Sequence, residues 1–101
     1  MTTHLNNQQR RALKQLAHHL KPVVLLGAAG LTEPVLAEIG LALSHHELIK
    51  VRVNGGDRDG RDAQVRTIVE ETGAALVQRI GNVAVLYRAN PELKEPIRLP
   101  G

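Results

Sequence analysis

The 101-residue chain contains no cysteine, no phenylalanine and no tryptophan, and Tyr87 is its only tyrosine. The absence of cysteine excludes disulfide bonds and thiolate metal sites, and it fits a reducing cytosol. No apolar run approaches the roughly 18 residues of a membrane span. The first residues, MTTHLNNQQRR, also lack the apolar core of a signal peptide. These absences predict a soluble cytoplasmic protein with no membrane partner.

The length and composition are typical of one small globular domain. A chain of 101 residues can bury a modest core, and 43% hydrophobic with 23% charged residues is a globular composition. We expect a single domain over residues 1–101, with its core at about residues 5–90. Pro91, Pro96 and Pro100 predict an irregular tail over residues 91–101.

Positive charge is concentrated in the first third of the chain. Residues 1–32 contain four basic residues and no acidic one, whereas the remainder contains nine basic and ten acidic residues. Such asymmetry predicts a surface that faces a polyanion, and the alternative is a solvated helix face.

The first predicted helix is apolar on one side and basic on the other. Asn6 can cap it, with Gln9 as its capping-box partner, and Pro22 marks its end. The apolar side comprises Leu5, Leu13, Leu16, Ala17 and Leu20. The opposite side comprises Asn7, Arg11, Lys14, His18 and Lys21, which recur at intervals of three and four residues.

A short apolar run and a second helix follow. Residues 23–26 are apolar throughout, which is typical of a strand buried on both faces. Thr32 then predicts the N-cap of a helix that runs to about Ser44. The residues predicted to face inward on this helix are Val35, Leu36, Ile39, Ala42 and Leu43.

The second half of the chain predicts three strands and a third helix. Residues 48–53 read LIKVRV, and this alternation predicts a strand with Lys50 and Arg52 on a basic face. A loop over residues 54–60 leads to a helix that begins near Arg61 and stops at Gly73. Residues 74–80 and 83–88 are predicted strands joined by a two-residue hairpin turn. The order α-β-α-β-α-β-β predicts an α/β fold in which three helices pack on a mixed four-stranded sheet, with an antiparallel last hairpin.

No constellation of side chains predicts catalysis. The only serine, Ser44, precedes His45, and adjacent residues on a helix do not face one another, so they form no dyad. The two His-His pairs lack a third ligand, and we interpret them as surface residues near helix ends. We therefore expect no enzyme, no metal, no cofactor and no small-molecule substrate.

The acidic cluster after residue 56 superficially resembles a calcium loop. Such a loop needs a bidentate glutamate at its twelfth position, which falls on Ile68. We interpret Asp57, Asp59 and Asp62 instead as carboxylates at the start of the third helix, where the helix dipole and capping favour them.

Residues 27–30 read Gly-Ala-Ala-Gly between an apolar strand and a helix start. This GAAG loop matches neither a nucleotide P-loop, which needs a lysine after the last glycine, nor a dinucleotide fingerprint, which needs a third glycine. Glycines allow close approach of a ligand, and free N–H groups at a helix start favour an anion. KH modules clamp a nucleic-acid backbone with such a loop, although a plain connecting turn is the alternative.

The near absence of aromatic residues limits how RNA could be recognised. RNA-recognition motifs and OB folds stack bases on several aromatic side chains, whereas this chain has only Tyr87. If it binds RNA, we expect it to contact phosphates and backbone shape, with little readout of the bases.

Three segments together resemble the CRM domain family (chloroplast RNA splicing and ribosome maturation), in particular its stand-alone bacterial YhbY-like members. They are LKPVVLLGAAGLTEPVLAEI, HHELIKVRV and ETGAALVQRIGNVAVLYR, and the resemblance covers residues 5–90 in the order of the family. It implies a compact α/β fold similar to the C-terminal domain of bacterial translation initiation factor three. It also implies RNA binding by the glycine loop and the flanking basic surface, and association with precursors of the large ribosomal subunit.

On this chain the resemblance places the loop at residues 27–30, with Lys21 as the matching upstream lysine and Lys50 as the matching strand lysine. Family loops often hold polar or basic residues between the glycines, whereas here both are alanine. This difference weakens side-chain contacts and leaves the backbone clamp intact.

These observations predict a monomeric RNA-binding protein that docks on structured ribosomal RNA and assists assembly of the large ribosomal subunit. The alternative is a protein-interaction module whose basic face binds an acidic ribosomal protein or assembly factor. The expected RNA-binding residues are Arg11, Lys14, His18, Lys21, Gly27, Ala28, Ala29, Gly30, Thr32, Lys50 and Arg52.

Overall fold

The predicted order of elements is confirmed in a computed structural model that describes residues 4–54 and 57–100. Gly55 and Gly56, in the predicted loop over 54–60, lie outside the described residues. The elements are α1 (Asn7–Ala17), β1 (Pro22–Leu25), α2 (Glu33–His46), β2 (Leu48–Arg52), α3 (Arg58–Thr72), β3 (Ala75–Ile80) and β4 (Val83–Tyr87).

The four strands form one mixed sheet in the order β1-β2-β4-β3. β1 pairs with β2 in parallel, and β4 is antiparallel to both β2 and β3. The carboxyl ends of β1, β2 and β3 therefore lie at the same end of the sheet. We call it the loop end, because the GAAG loop, the start of α3 and the hairpin turn at residues 81–82 all lie there.

A hydrophobic core lies on each face of the sheet. α2 and α3 pack on one face, and their core contains Val24, Leu26, Ile39, Leu43, Ile49, Val51, Val53, Val65, Ile68, Ala74, Ala84 and Leu86. α1 packs on the other face, against β2, β3 and β4. The smaller core on this α1 side contains Leu13, Ala17, Leu48, Val77, Val85 and Tyr87.

Short-range signals correctly place the starts of α1 and α2 and the end of α3. Asn6 and Gln9 form the predicted capping box, with distances of 2.7 Å and 3.1 Å. Gly73 ends α3 in the left-handed conformation, at φ +73°. The first helix ends at Ala17 rather than at Pro22, because the N–H of Leu20 turns back to the Ala17 carbonyl at 2.9 Å.

The start of α3 was predicted three residues too late. Asp57 caps this helix, since its Oδ1 accepts from the Gly60 N–H at 2.7 Å, and the helix begins at Arg58 rather than near Arg61. α2 ends at His46, two residues beyond the predicted Ser44.

The prediction that residues 23–26 are buried on both faces is wrong. Val23 and Leu25 are 49% and 62% exposed, because β1 is an edge strand and α1 lies over the other three strands. Leu16 and Leu20 of the predicted apolar side are 50% and 38% exposed, and both line a groove beside Val23 of β1.

Residues 88–100 form no helix or strand, and this tail is fastened to the fold by a buried carboxylate. Glu47 is only 2% exposed and has φ +61°. Its two carboxylate oxygens accept hydrogen bonds from the backbone N–H groups of Asn90 (2.8 Å) and Ile97 (2.7 Å). Ile97 and Leu99 thereby pack against the core on the α1 side.

Two kinds of feature are absent from the described residues. No helix among them is long and apolar enough to cross a membrane. Within the same residues, no group of three or more histidine, aspartate or glutamate side chains is placed to hold a metal ion.

Candidate nucleic-acid interface

The GAAG loop is a tight turn at the loop end of the sheet. The Gly30 N–H donates to the Gly27 carbonyl at 2.9 Å, and Gly30 has φ +74°, a conformation that favours glycine. A Cβ at Gly30 would lie 3.2 Å from Nε2 of Gln64 on α3. A Cβ at Gly27 would meet no atom within 4 Å. The two glycines therefore differ, since Gly27 can be replaced without strain and Gly30 cannot.

The start of α2 offers fewer free N–H groups than the sequence suggested. The Thr32 hydroxyl accepts from the Val35 N–H at 3.4 Å, and the Thr32 carbonyl accepts from the Leu36 N–H. Pro34 has no N–H, and the acidic Glu33 lies in the first turn. In contrast, the N–H groups of the exposed Ala28 and Ala29 have no partner within residues 4–54 and 57–100. An anion at this loop would therefore be bound mainly by the turn.

The basic side of α1 opens onto the sheet. Exposed Arg11, Lys14 and His18 line an open cleft of about 480 Å³ together with Gln15, His19 and Gln78 of β3. We call this the α1 cleft. Sequence reasoning missed Gln78, because its contact with α1 depends on how the helix lies across β3.

Arg10 takes no part in the cleft, since its guanidinium donates to the carbonyls of Leu76 and Val77 and fixes α1 to β3.

The two strand cations lie on the same side of the sheet as α1. Ile49, Val51 and Val53 fill the opposite core, so Lys50 and Arg52 point toward the α1 side. Arg52 is exposed and Lys50 is half-buried. The fold thus brings Arg11, Lys14, His18, Lys50 and Arg52 to one side of the sheet, as the proposed site requires.

Lys21 is separated from the GAAG loop. It precedes β1, whereas the loop follows β1, so about 13 Å of strand lies between them. Lys21 instead lines an apolar groove of about 530 Å³. The apolar groove also includes Leu16, Leu20, Val23, Leu48 and Ile97.

A second cationic surface lies at the loop end, on the α3 side. Arg58, Arg61, Arg79 and Gly81 surround Asp62 in a cleft of about 280 Å³. Arg79 forms a hydrogen-bonded ion pair with Asp62, and this bond holds the pKa of that carboxyl below its usual value. Sequence reasoning interpreted this segment only as an acidic helix start, although arginines alternate with the aspartates there.

Comparison with known proteins shows the family of this chain. The family model of the CRS1 / YhbY (CRM) domain matches residues 5–88. An RNA-binding protein of Haemophilus influenzae is 58% identical over 100 residues, which cover 99% of this chain and 98% of that protein. A Pseudomonas aeruginosa protein named "Probable RNA-binding protein" is 44% identical over 88 residues, or 87% of this chain and 85% of its own.

A solved structure shares the fold. The solution structure of a Staphylococcus aureus protein, described as a candidate RNA-binding protein, has a TM-score of 0.80 and 38% sequence identity with this chain. The match covers 96% of this chain and 100% of that one. Because the family model spans most of the chain and these relatives match over most of their length, the chain belongs to the CRM (CRS1/YhbY) domain family.

Proposed function

We propose that this protein is a non-enzymatic RNA-binding protein that docks on structured ribosomal RNA and assists assembly of the large ribosomal subunit. The observation that carries the proposal is the convergence of the α1 cleft, Lys50 and Arg52 on one side of the sheet, next to an exposed glycine turn. RNA binding is also supported by the relatives, which are named as RNA-binding proteins. The ribosomal target rests on the resemblance to the stand-alone bacterial members of the family.

The mechanism is electrostatic docking followed by contact with the backbone turn. Arg11 and Lys14 attract phosphates and release counterions from the RNA, so affinity falls steeply with salt. The N–H groups of Ala28 and Ala29 then donate to a phosphate, which the small side chains between the two glycines leave accessible.

Reversing two charges in the α1 cleft should weaken binding to all RNAs by a similar factor. Phosphate contacts carry no sequence information, so Arg11→Glu combined with Lys14→Glu lowers affinity without changing sequence preference. The log–log dependence of affinity on salt should become shallower by about 0.7–0.9 for each phosphate that the variant no longer neutralises. Fluorescence anisotropy with several RNAs over a salt series measures both quantities.

The matched control reverses Arg66 and Lys94, which are exposed elsewhere. It changes the net charge by the same amount and should retain most of the affinity. An equal loss in the control would show that net charge matters rather than this surface.

Sedimentation tests the ribosomal target. In a low-salt lysate separated on a sucrose gradient, the tagged protein should migrate with large-subunit particles. It should leave them after ribonuclease treatment, and the Arg11→Glu, Lys14→Glu variant should remain at the top of the gradient. Wild-type protein at the top in both lysates would contradict a ribosomal role.

One observation favours protein interaction as a second candidate function. In the apolar groove beside Lys21, Leu16 is 50% exposed to solvent. Exposed apolar surface of this kind is common at protein interfaces. If this function dominates, the protein should stay in a complex after ribonuclease treatment.

A further inference from the structure

One row of residues crosses the whole sheet at the loop end. The strand register pairs Leu25 with Arg52, Arg52 with Val83, and Val83 with Ile80. These four residues therefore lie side by side on four neighbouring strands, and we call them the open row. Because neighbouring strands lie about 4.8 Å apart, the row spans about 14 Å.

The open row lies on the α1 side of the sheet and α1 does not cover it. On β1, the residues before and after Leu25 fill the core against α2 and α3, so Leu25 points the other way. On β3, Arg79 reaches α3, so Ile80 also points to the α1 side. Leu25 is 62% exposed and Ile80 is 53% exposed, and Arg52 between them is exposed as well.

The chemistry of the open row is both apolar and cationic. Single exposed leucines or valines are common on protein surfaces, but here three aliphatic side chains share one row with a guanidinium. The row lies between the α1 cleft and the GAAG loop, which continues directly from β1. Neither the row nor the cleft includes a carboxylate. This surface is complementary to an anionic chain that also exposes flat apolar faces.

Unpaired RNA is such a chain, whereas double-helical RNA is not. In a helix the faces of the bases are stacked inside, and a protein meets mainly phosphates and 2′-hydroxyls. In an unpaired segment the bases are free to lie on side chains, and an arginine guanidinium can stack on them. Arg52 lies between two aliphatic neighbours, where it could stack on a base in this way.

We infer that the open row binds the bases of an unpaired RNA segment whose phosphates lie on the GAAG loop and the α1 cleft. This inference rests on the proposed function and adds the class of RNA, single-stranded rather than helical. About two or three bases are expected on the row, which is the number that RNA-recognition motifs carry on a four-stranded sheet. Aliphatic contacts with base faces read no pattern of donors and acceptors, so the row should tolerate many sequences.

The test compares one RNA strand in two states. A labelled strand without self-complementarity and the same strand annealed to its complement are titrated with the full-length protein. Leu25→Thr combined with Ile80→Thr removes apolar surface from the row and retains residues suited to strands. We expect about a tenfold loss of affinity for the single strand, since the variant truncates two aliphatic side chains that the bound RNA would partly bury. Affinity for the duplex and the salt dependence should be unchanged, because no cation is removed.

The control is Leu41→Ala on α2, across the sheet, where the leucine is 61% exposed. It should bind both RNAs like the wild type. Should the threonine variant fold poorly, as judged by circular dichroism, Leu25→Gln alone serves in its place, because Leu25 is the more exposed of the two residues.

Three outcomes would overturn the inference. In the first, the variant binds both RNAs like the wild type, so that the row serves another ligand, such as an apolar protein surface. In the second, the variant loses affinity for single strand and duplex equally. In the third, the wild type binds duplex only, which leaves the proposed function standing. Failure of the wild type to bind either RNA would instead remove the proposed function itself.

Discussion

Gly27→Asp is expected to lose about a hundredfold in RNA affinity, since like charges brought together at an interface cost several kcal/mol. The aspartate would place a carboxylate beside the free N–H groups of Ala28 and Ala29, where the phosphate is proposed to lie. The fold should be retained, because a Cβ at Gly27 meets no atom within 4 Å. Aspartate is also favoured at the first position of a β-turn.

Gly27→Asn is the matched control for this experiment. Asparagine has nearly the same shape and the same preference for the first turn position, but it has no charge. Anisotropy with one RNA should show a much smaller loss for asparagine than for aspartate. Equal losses would point to the shape of the turn, and wild-type affinity in both variants would remove the loop from the site.

The choice of glycine matters in this test. Gly30→Asp places a side chain at φ +74° and 3.2 Å from Gln64 Nε2. If that variant lost RNA affinity, backbone strain and charge repulsion would both explain the loss. The result would therefore not test whether a phosphate lies at the loop.

Glu47→Ala is expected to lower the free energy of unfolding by about 3 kcal/mol, because hydrogen bonds to charged groups contribute about 1.5–3 kcal/mol each. The substitution leaves the N–H groups of Asn90 and Ile97 without their buried acceptor. In a domain of this size the loss corresponds to a fall of about 10–20 °C in the melting temperature. Alanine keeps the positive φ of this position, so the backbone strain is similar in both proteins. Thermal unfolding followed by circular dichroism measures the effect.

Tyr87 provides an independent readout of the same contact. Burial, and then the nearby Glu47 carboxylate, raise the pKa of its phenol above the ordinary value. In Glu47→Ala the carboxylate is gone and the tail that packs near Tyr87 is released, so the pKa should fall. As the chain has no other tyrosine and no tryptophan, ultraviolet absorbance of the phenolate follows this group alone.

Glu95→Ala is the control for the Glu47 variant. It removes the same charge from an exposed position of the tail and should change neither melting temperature nor the Tyr87 titration. A wild-type melting temperature in Glu47→Ala would show that the carboxylate does not fasten the tail.

Features that depend on near neighbours in the chain could be predicted from the sequence. The capping box of Asn6 and Gln9, the cap at Thr32 and the glycine stop at Gly73 involve residues within four positions of each other. The alternation in residues 48–53 likewise predicted a strand with one basic face. The sequence did not single out Asp57 as the cap, because three aspartates of one short segment could each have started the helix. In the structure Asp57 is extended, at φ −125°, and its carboxylate accepts from the Gly60 N–H, so Asp57 is the residue that caps α3.

Which residues form the candidate site depends on contacts between segments that are distant in the sequence. The basic residues of α1, Lys50 and Arg52 share one side of the sheet because β2 pairs with β4 and α1 crosses that pair. Lys21 is near the glycine loop in sequence, yet a whole strand separates them. The apolar run at residues 23–26 identifies a strand. The sequence of this run does not show, however, whether a helix covers each face of the strand. Strand order and the position of α1 are long-range properties, and they leave Leu25 and Ile80 exposed beside the site.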